Sequence, residues 1–215
     1  MVSEKVRVRF YKKGKLKFIS HLDLVRTFKS AFSRAGVPIW YTEGFDPHPK
    51  MVFSPPLPIG AESECEFVDI RLTKPCDPRK LIEDINSQLT ADMQVTAIYA
   101  QKNDSRAIAS ARYTITLCDG FSRGEIEKAL AGPLMITKKT KKGMVDTDLS
   151  PKIKSCCITE EGSALTLDIV LGASEEDFVN PAHLIKALGA YLGRELIDYS
   201  ILRVAEYLAD GREFV

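Results

Sequence analysis

Val6, Val8 and Phe10 alternate with Arg7 and Arg9, the period-two pattern of a half-buried strand. After Lys12-Lys13-Gly14-Lys15 the pattern resumes at Leu16 and Phe18, which predicts a strand or a short hairpin. Ser20-His21-Leu22-Asp23 has the form of a helix start, with the hydroxyl taking an orphan N–H and the acid three residues on reaching back. Leu22, Val25, Phe28, Phe32 and Ala35 then recur at helical spacing, Arg26, Lys29 and Arg34 face outward, and Gly36 with Pro38 supplies the stop. Pro38 to Thr42 and Met51 to Ser54 read as short strands. Between them, Pro47 and Pro49 deny ladder hydrogen bonds, so residues 43–50 are predicted as a loop. Pro55 to Gly60 is a second rigid turn, Glu64 to Leu72 a strand, Asp77-Pro78 the cap of a helix to Leu89, and Met93 to Ala100 a further strand.

That order is β-α-β-β-α-β, and the second half repeats it. Arg112 to Leu117 is predicted as a strand and Ser122 to Leu130 as a helix. Leu134 to Lys139 with Gly143 to Asp148 forms a hairpin or extended arm, and Lys152 to Thr159 pairs with Ala164 to Leu171. A helix from Asn180-Pro181 to Leu192 and a strand from Ser200 to Tyr207 close the series. The expected fold class is α+β, two tandem ferredoxin-like units with mostly antiparallel sheets, spanning 1–101 and 111–215. The weakly patterned stretch Gln101 to Ser110 is the expected linker.

Composition adds boundaries rather than identity. With 45% hydrophobic and 27% charged residues the chain is globular. Apolar runs such as Leu165 to Ala173, cut by Asp168, fall well short of the roughly 20 residues of a membrane span. The opening Met-Val-Ser-Glu-Lys shows no apolar leader, so a cytoplasmic location and no membrane contact are expected. The five cysteines, at 65, 76, 118, 156 and 157, have neither disulfide nor C-x-x-C spacing and read as reduced thiols. No metal and no cofactor are expected, and dinucleotide, Walker, zinc-protease and nucleophile-elbow motifs are all missing.

Charge changes the picture. The net charge is +1, yet residues 1–50 carry eleven Lys or Arg against four acids, an excess of +7, leaving −6 on the other 165 residues. A basic segment on an acidic protein suits a polyanion, while a solvated, aggregation-resistant strand edge explains it equally well. On the first reading Lys12, Lys13, Lys15, Lys17, Arg26, Lys29 and Lys50 contact RNA phosphates and Tyr41 and Phe45 stack bases, with Trp40 expected in the core. The helix N-terminus at Ser20 and His21 offers free N–H groups to a phosphate, unless Ser20 and Asp23 merely cap it. Lys138, Lys139, Lys141 and Lys142 form a second basic cluster on the arm.

No catalytic residue is assigned. His21 and His48 are the candidates for a metal-independent endoribonuclease, and the idea carries a geometric condition. They share a site if the 43–50 loop is the turn between the second and third strands; they lie at opposite ends if 55–60 is that turn.

The runs Phe18-Ile19-Ser20-His21-Leu22-Asp23-Leu24-Val25-Arg26, Arg34-Ala35-Gly36-Val37-Pro38, Gly44-Phe45-Asp46-Pro47-His48-Pro49-Lys50 and Pro56-Leu57-Pro58-Ile59-Gly60 give the chain a family resemblance, with Asp146-Thr147-Asp148-Leu149 as its marker in the second half. It resembles bacterial radical-SAM-linked proteins, a domain of unknown function found beside or fused to cobalamin-type radical SAM proteins and ribonuclease E/G. The resemblance implies a radical SAM partner and an RNA setting. Lacking cluster cysteines, this chain would be the accessory half. The expected function is therefore a non-catalytic RNA-binding protein that presents RNA to that partner; the alternatives are the endoribonuclease or a protein-only scaffold.

Overall fold

The computed structural model describes residues 4–118, 120–140 and 143–215. The chain divides into two compact units, one running to Ala107 and including Val215, the other Ile108–Phe214.

In the first unit β1 (Glu4–Lys12) leads through a 3₁₀ turn (Gly14–Phe18) into α1 (His21–Arg34). β2 (Met51–Phe53), β3 (Ala61–Leu72), α2 (Pro78–Asn86) and β4 (Val95–Ala100) follow. The strands pair antiparallel in the order β4-β1-β3-β2. Alternation on β1 sends Val6, Val8 and Phe10 into the core, where they meet Leu24, Phe28 and Phe32 of α1 and Leu81 and Ile85 of α2. Phe10 and Phe28 pack as tilted rings at 4.5 Å between centroids, with Phe53 edge-on to both.

The second unit contains β5 (Ile108–Leu117), α3 (Arg123–Ala131), a hairpin of β6 (Met135–Thr140) and β7 (Gly143–Asp148), then β8 (Ile153–Glu161), β9 (Ala164–Gly172), α4 (Pro181–Leu192) and β10 (Tyr199–Leu208). Its strands lie antiparallel in the order β10-β5-β9-β8, and the β6–β7 hairpin is a separate two-stranded sheet. Ser122 and Glu125 form a reciprocal cap on α3, and Asn180 caps α4, where Pro181 fills a first-turn position that needs no donor.

The architecture is thus α+β with mostly antiparallel sheets, as expected. Three local readings differ. Residues 14–18 coil into a 3₁₀ turn instead of a second strand, because Gly14 takes φ +57° and its N–H bonds Glu62 Oε1 at 3.0 Å. Residues 38–42 make isolated bridges, Ile39 to Leu72 and Tyr41 to Pro49, rather than a strand, and Trp40 is half-buried. The expected linker belongs largely to the folded units: Gln101 N donates to Lys5 O, Ser105 is buried and β5 already begins at Ile108. All five cysteines are free. Among the described residues no helix is long and apolar enough to cross a membrane.

Candidate nucleic-acid interface

Strand geometry splits the basic opening segment. On β1, Arg7 and Arg9 point away from the face that holds Val6, Val8 and Phe10. Arg7 is fully buried and grips its cross-strand partner Asp69 through Nε to Oδ1 at 2.7 Å and Nη2 to Oδ2 at 2.9 Å, with further bonds to the carbonyls of Asn103 and Val215. Lys12, expected on phosphate, is 3% exposed and drops out of that set, since a buried ammonium cannot reach a backbone in solvent. Lys13 is ion-paired with Glu64 at 2.9 Å, which raises its pKa. Arg26 bonds Asp23, and Arg34 bonds Ser30 and Gln88. Among the described residues Lys5, Lys15, Lys17, Lys29 and Lys50 make no ion pair.

Apart from Lys29, exposed on α1, these remaining cations fall at two ends of the unit. One end holds the 3₁₀ turn, the start of α1 and residues 54–60, tied together by Gly60 N donating to Lys17 O at 2.8 Å. Here Ser20 accepts from Asp23 N and donates to Asp23 Oδ2, so the helix start is self-capped. These bonds, from Ser20 first and Arg26 second, hold the Asp23 carboxyl below its ordinary pKa. The His21 ring stands edge-on to Phe53 at 5.5 Å. The other end holds Tyr41, Phe45, His48 and Lys50. Thr42 N donates to His48 O, and the His48 Nδ1 lies 3.0 Å from Asp46 O and 3.2 Å from Thr42 Oγ1. Phe45 is fully exposed and Tyr41 partly so.

The β2–β3 turn is therefore 54–60. His21 packs against Phe53 and His48 precedes Met51, so the two histidines flank opposite ends of β2, the arrangement in which the endoribonuclease reading has no shared turn for them. Among the described residues no group of three or more His, Cys, Asp or Glu stands together as a metal site.

The second end opens on a groove of about 460 Å³ lined by Lys5, Lys50, Val52, Phe53, Asp69, Ile70, Arg71, Gln101, Asp104, Ser105 and Arg106. Lys5 and Arg71 are brought together as direct cross-strand partners, and the Arg71 guanidinium lies 5.1 Å from the centre of the Trp40 ring. Both carboxylates in the groove are already engaged. Asp69 accepts from Arg7 and from Gln101 at 2.9 Å. Asp104 accepts from Arg106, which holds its carboxyl below the usual range. Lys5, Lys50 and Arg71 thus face the groove without a carboxylate partner among the described residues.

Of the sequence-predicted contacts, Tyr41, Phe45, His48 and Lys50 share one end of the unit. Lys13, Lys15, Lys17, Ser20 and His21 belong to the other; Arg26 and Lys29 are exposed on α1. Arg71 and Arg106 are not among the sequence-predicted contacts. Arg71 carried a usable signal, its two-residue offset from Asp69 on a strand that pairs with β1, whereas Arg106 lay in the presumed linker.

The sequence profile of a family described as "Uncharacterized protein conserved in bacteria (DUF2344)" matches residues 5–181. A search of curated proteins finds no match. Among solved structures the chain is similar to an unknown protein from Galdieria sulphuraria, at 10% identity and TM-score 0.30, covering 94% of this chain and 99% of that one. It is also similar to a protein described as "putative glycine cleavage system transcriptional repressor", at 9% identity and TM-score 0.26, covering 94% and 97%.

Proposed function

The chain belongs to that bacterial DUF2344 family, and from this premise we propose that it is a non-catalytic RNA-binding accessory protein that presents RNA to a radical SAM partner. The supporting observation is the groove in which Lys5, Lys50 and Arg71 converge, entered by the same loop that carries the fully exposed Phe45. Cations tracking a backbone beside a ring free to stack is the chemistry of single-strand binding. We read both units as ferredoxin-like, since each sheet has the strand order of a split β-α-β-β-α-β unit with the β6–β7 hairpin inserted in the second. That reading supplies a scaffold and no function of its own.

Filter binding of single-stranded RNA over a salt series tests the proposal. Affinity is expected to fall with salt, with a log–log slope of roughly −0.7 per phosphate contacted. Replacing Lys5, Lys50 and Arg71 together by Gln is expected to flatten the slope by about 2, whereas replacing Lys15, Lys17 and Lys29 leaves it unchanged. No RNA affinity, or affinity indifferent to salt, overturns the reading.

A second reading, a protein-only scaffold for the same partner, is favoured by Phe18, Leu22 and Ile59, each more than half exposed near the other end. Co-purification with the radical SAM protein that survives nuclease treatment, without measurable RNA affinity, would select it.

A further inference from the structure

The second unit gathers positive groups of its own. His183 and Lys186 lie one turn apart on α4 and line a cleft of about 560 Å³ with Asn180, Tyr199 and two further charged residues, Arg194 and Glu195. The Nδ1 of His183 is buried and has no hydrogen-bond partner among the described residues, a costly state for a ring nitrogen. Lys138, on the β6 strand packed against α4, is half-buried, and its charge and that of Lys186 bear on the imidazole. Neither lysine makes an ion pair among the described residues. Lys152, whose charge acts on Lys138, is already held by the Glu176 carbonyl at 3.0 Å and by Asp177 at 3.9 Å. Lys141 and Lys142, expected in the same cluster, lie outside the described residues, as does the side chain of Lys139.

Lys186 lines the cleft with His183, and Lys138 acts on the same imidazole from the β6 strand packed against α4, so two ammonium groups bear on one ring with an unpartnered nitrogen, an arrangement that an oxyanion would complete. We propose that His183, Lys186 and Lys138 form a binding site for a phosphate-type oxyanion, carried either by a small phosphorylated molecule or by a nucleic-acid strand. Burial first, and then Lys138 and Lys186, hold the imidazole pKa below its ordinary value. A bound oxyanion would reverse the sign of the nearest charge and draw a proton onto the ring.

The chain has three histidines, so the ring signals of His183 separate cleanly from those of His21 and His48 in an imidazole ¹⁵N spectrum of the full-length protein. Titration with pyrophosphate is expected to shift the His183 signals saturably and leave His21 in place. Lys186→Gln and Lys138→Gln are each expected to weaken binding about tenfold, with the His21 and His48 signals confirming that each variant is folded. A single-stranded RNA that moves the same signals and competes with pyrophosphate identifies the strand as the source; RNA that leaves them still identifies a small phosphorylated ligand. No shift of His183 at millimolar pyrophosphate, or a shift unaltered in both lysine variants, overturns the proposal. His48 reports on the loop of the first unit, so failure here and failure of the groove are separately visible.

Discussion

Arg7 and Asp69 face each other at paired positions of β1 and β3, joined by two parallel bonds of 2.7 and 2.9 Å, with the arginine side chain wholly buried and the aspartate nearly so. The guanidinium fork matches the carboxylate, and its remaining donors reach the Asn103 and Val215 carbonyls, so the desolvated charge is hydrogen-bonded on several sides. Asp69 also lines the groove, and Arg7 occupies there a carboxylate that would otherwise repel an anion.

Removing one partner leaves a buried charge uncompensated. Asp69→Asn is expected to destabilise the first unit by about 3 kcal/mol or more, whereas Arg7→Met with Asp69→Leu costs less than either single change. Urea unfolding of the two single variants and the double variant checks this through the sign of the coupling.

Phe45 makes the opposite case, a large ring wholly in solvent. Its truncation to Ala removes almost no buried area, so the melting temperature is expected to stay put. If the ring stacks on a base, RNA affinity falls by about 1–3 kcal/mol in the same variant. An affinity equal to the parent's removes Phe45 from the interface.

Strands and helices were largely legible because alternation and capping are local. Val6, Val8 and Phe10 mark β1, and Ser20 with Asp23 marks the start of α1. What escaped depends on partners distant in sequence. The coil at 14–18 is set by Gly14, where a Cβ would come within 2.8 Å of Asp92 Oδ2, and nothing near residue 14 announces Asp92. Likewise the +7 excess is a property of composition, while its dispersal is a property of register. Asp69 and Glu64 lie 62 and 51 residues from the cations they neutralise. The groove became visible once β1 and β3 were in register, with Lys5 opposite Arg71.

Cys156 is a thiol pushed up to about 11, first by burial and then by the neighbouring Cys157 and Asp168. At pH 8 only about one part in a thousand is then thiolate, the reactive form. Iodoacetamide at pH 8 is expected to label the exposed Cys118 and Cys157 well before Cys156, whose labelling rate climbs about tenfold per pH unit toward 11. Peptide mapping by mass resolves Cys118 from the pair, and fragmentation resolves the pair. Labelling of Cys156 at the same rate as Cys157 would refute the burial argument.

Arg112 on β5 holds Asp168 on β9 through Nε to Oδ1 at 2.7 Å and a second bond from Nη2, and this keeps the Asp168 carboxyl below its ordinary pKa. A carboxylate depressed in the folded state stabilises it above the unfolded pKa of roughly 4, and the contribution disappears as pH falls through the lower folded value. Arg112, shifted upward by the same bonds, stays charged throughout. Both side chains are more than a third exposed, so solvent screening limits the pair to about 1 kcal/mol or less. Asp168→Asn is therefore expected to cost about that much at pH 7, with the difference from the parent shrinking below pH 4 and vanishing once the parent carboxyl is protonated. Urea midpoints of both proteins across pH 2 to 7 test the sign: a gap that widens toward acid would mean that Asp168 is destabilising as a carboxylate, against the geometry of its two bonds.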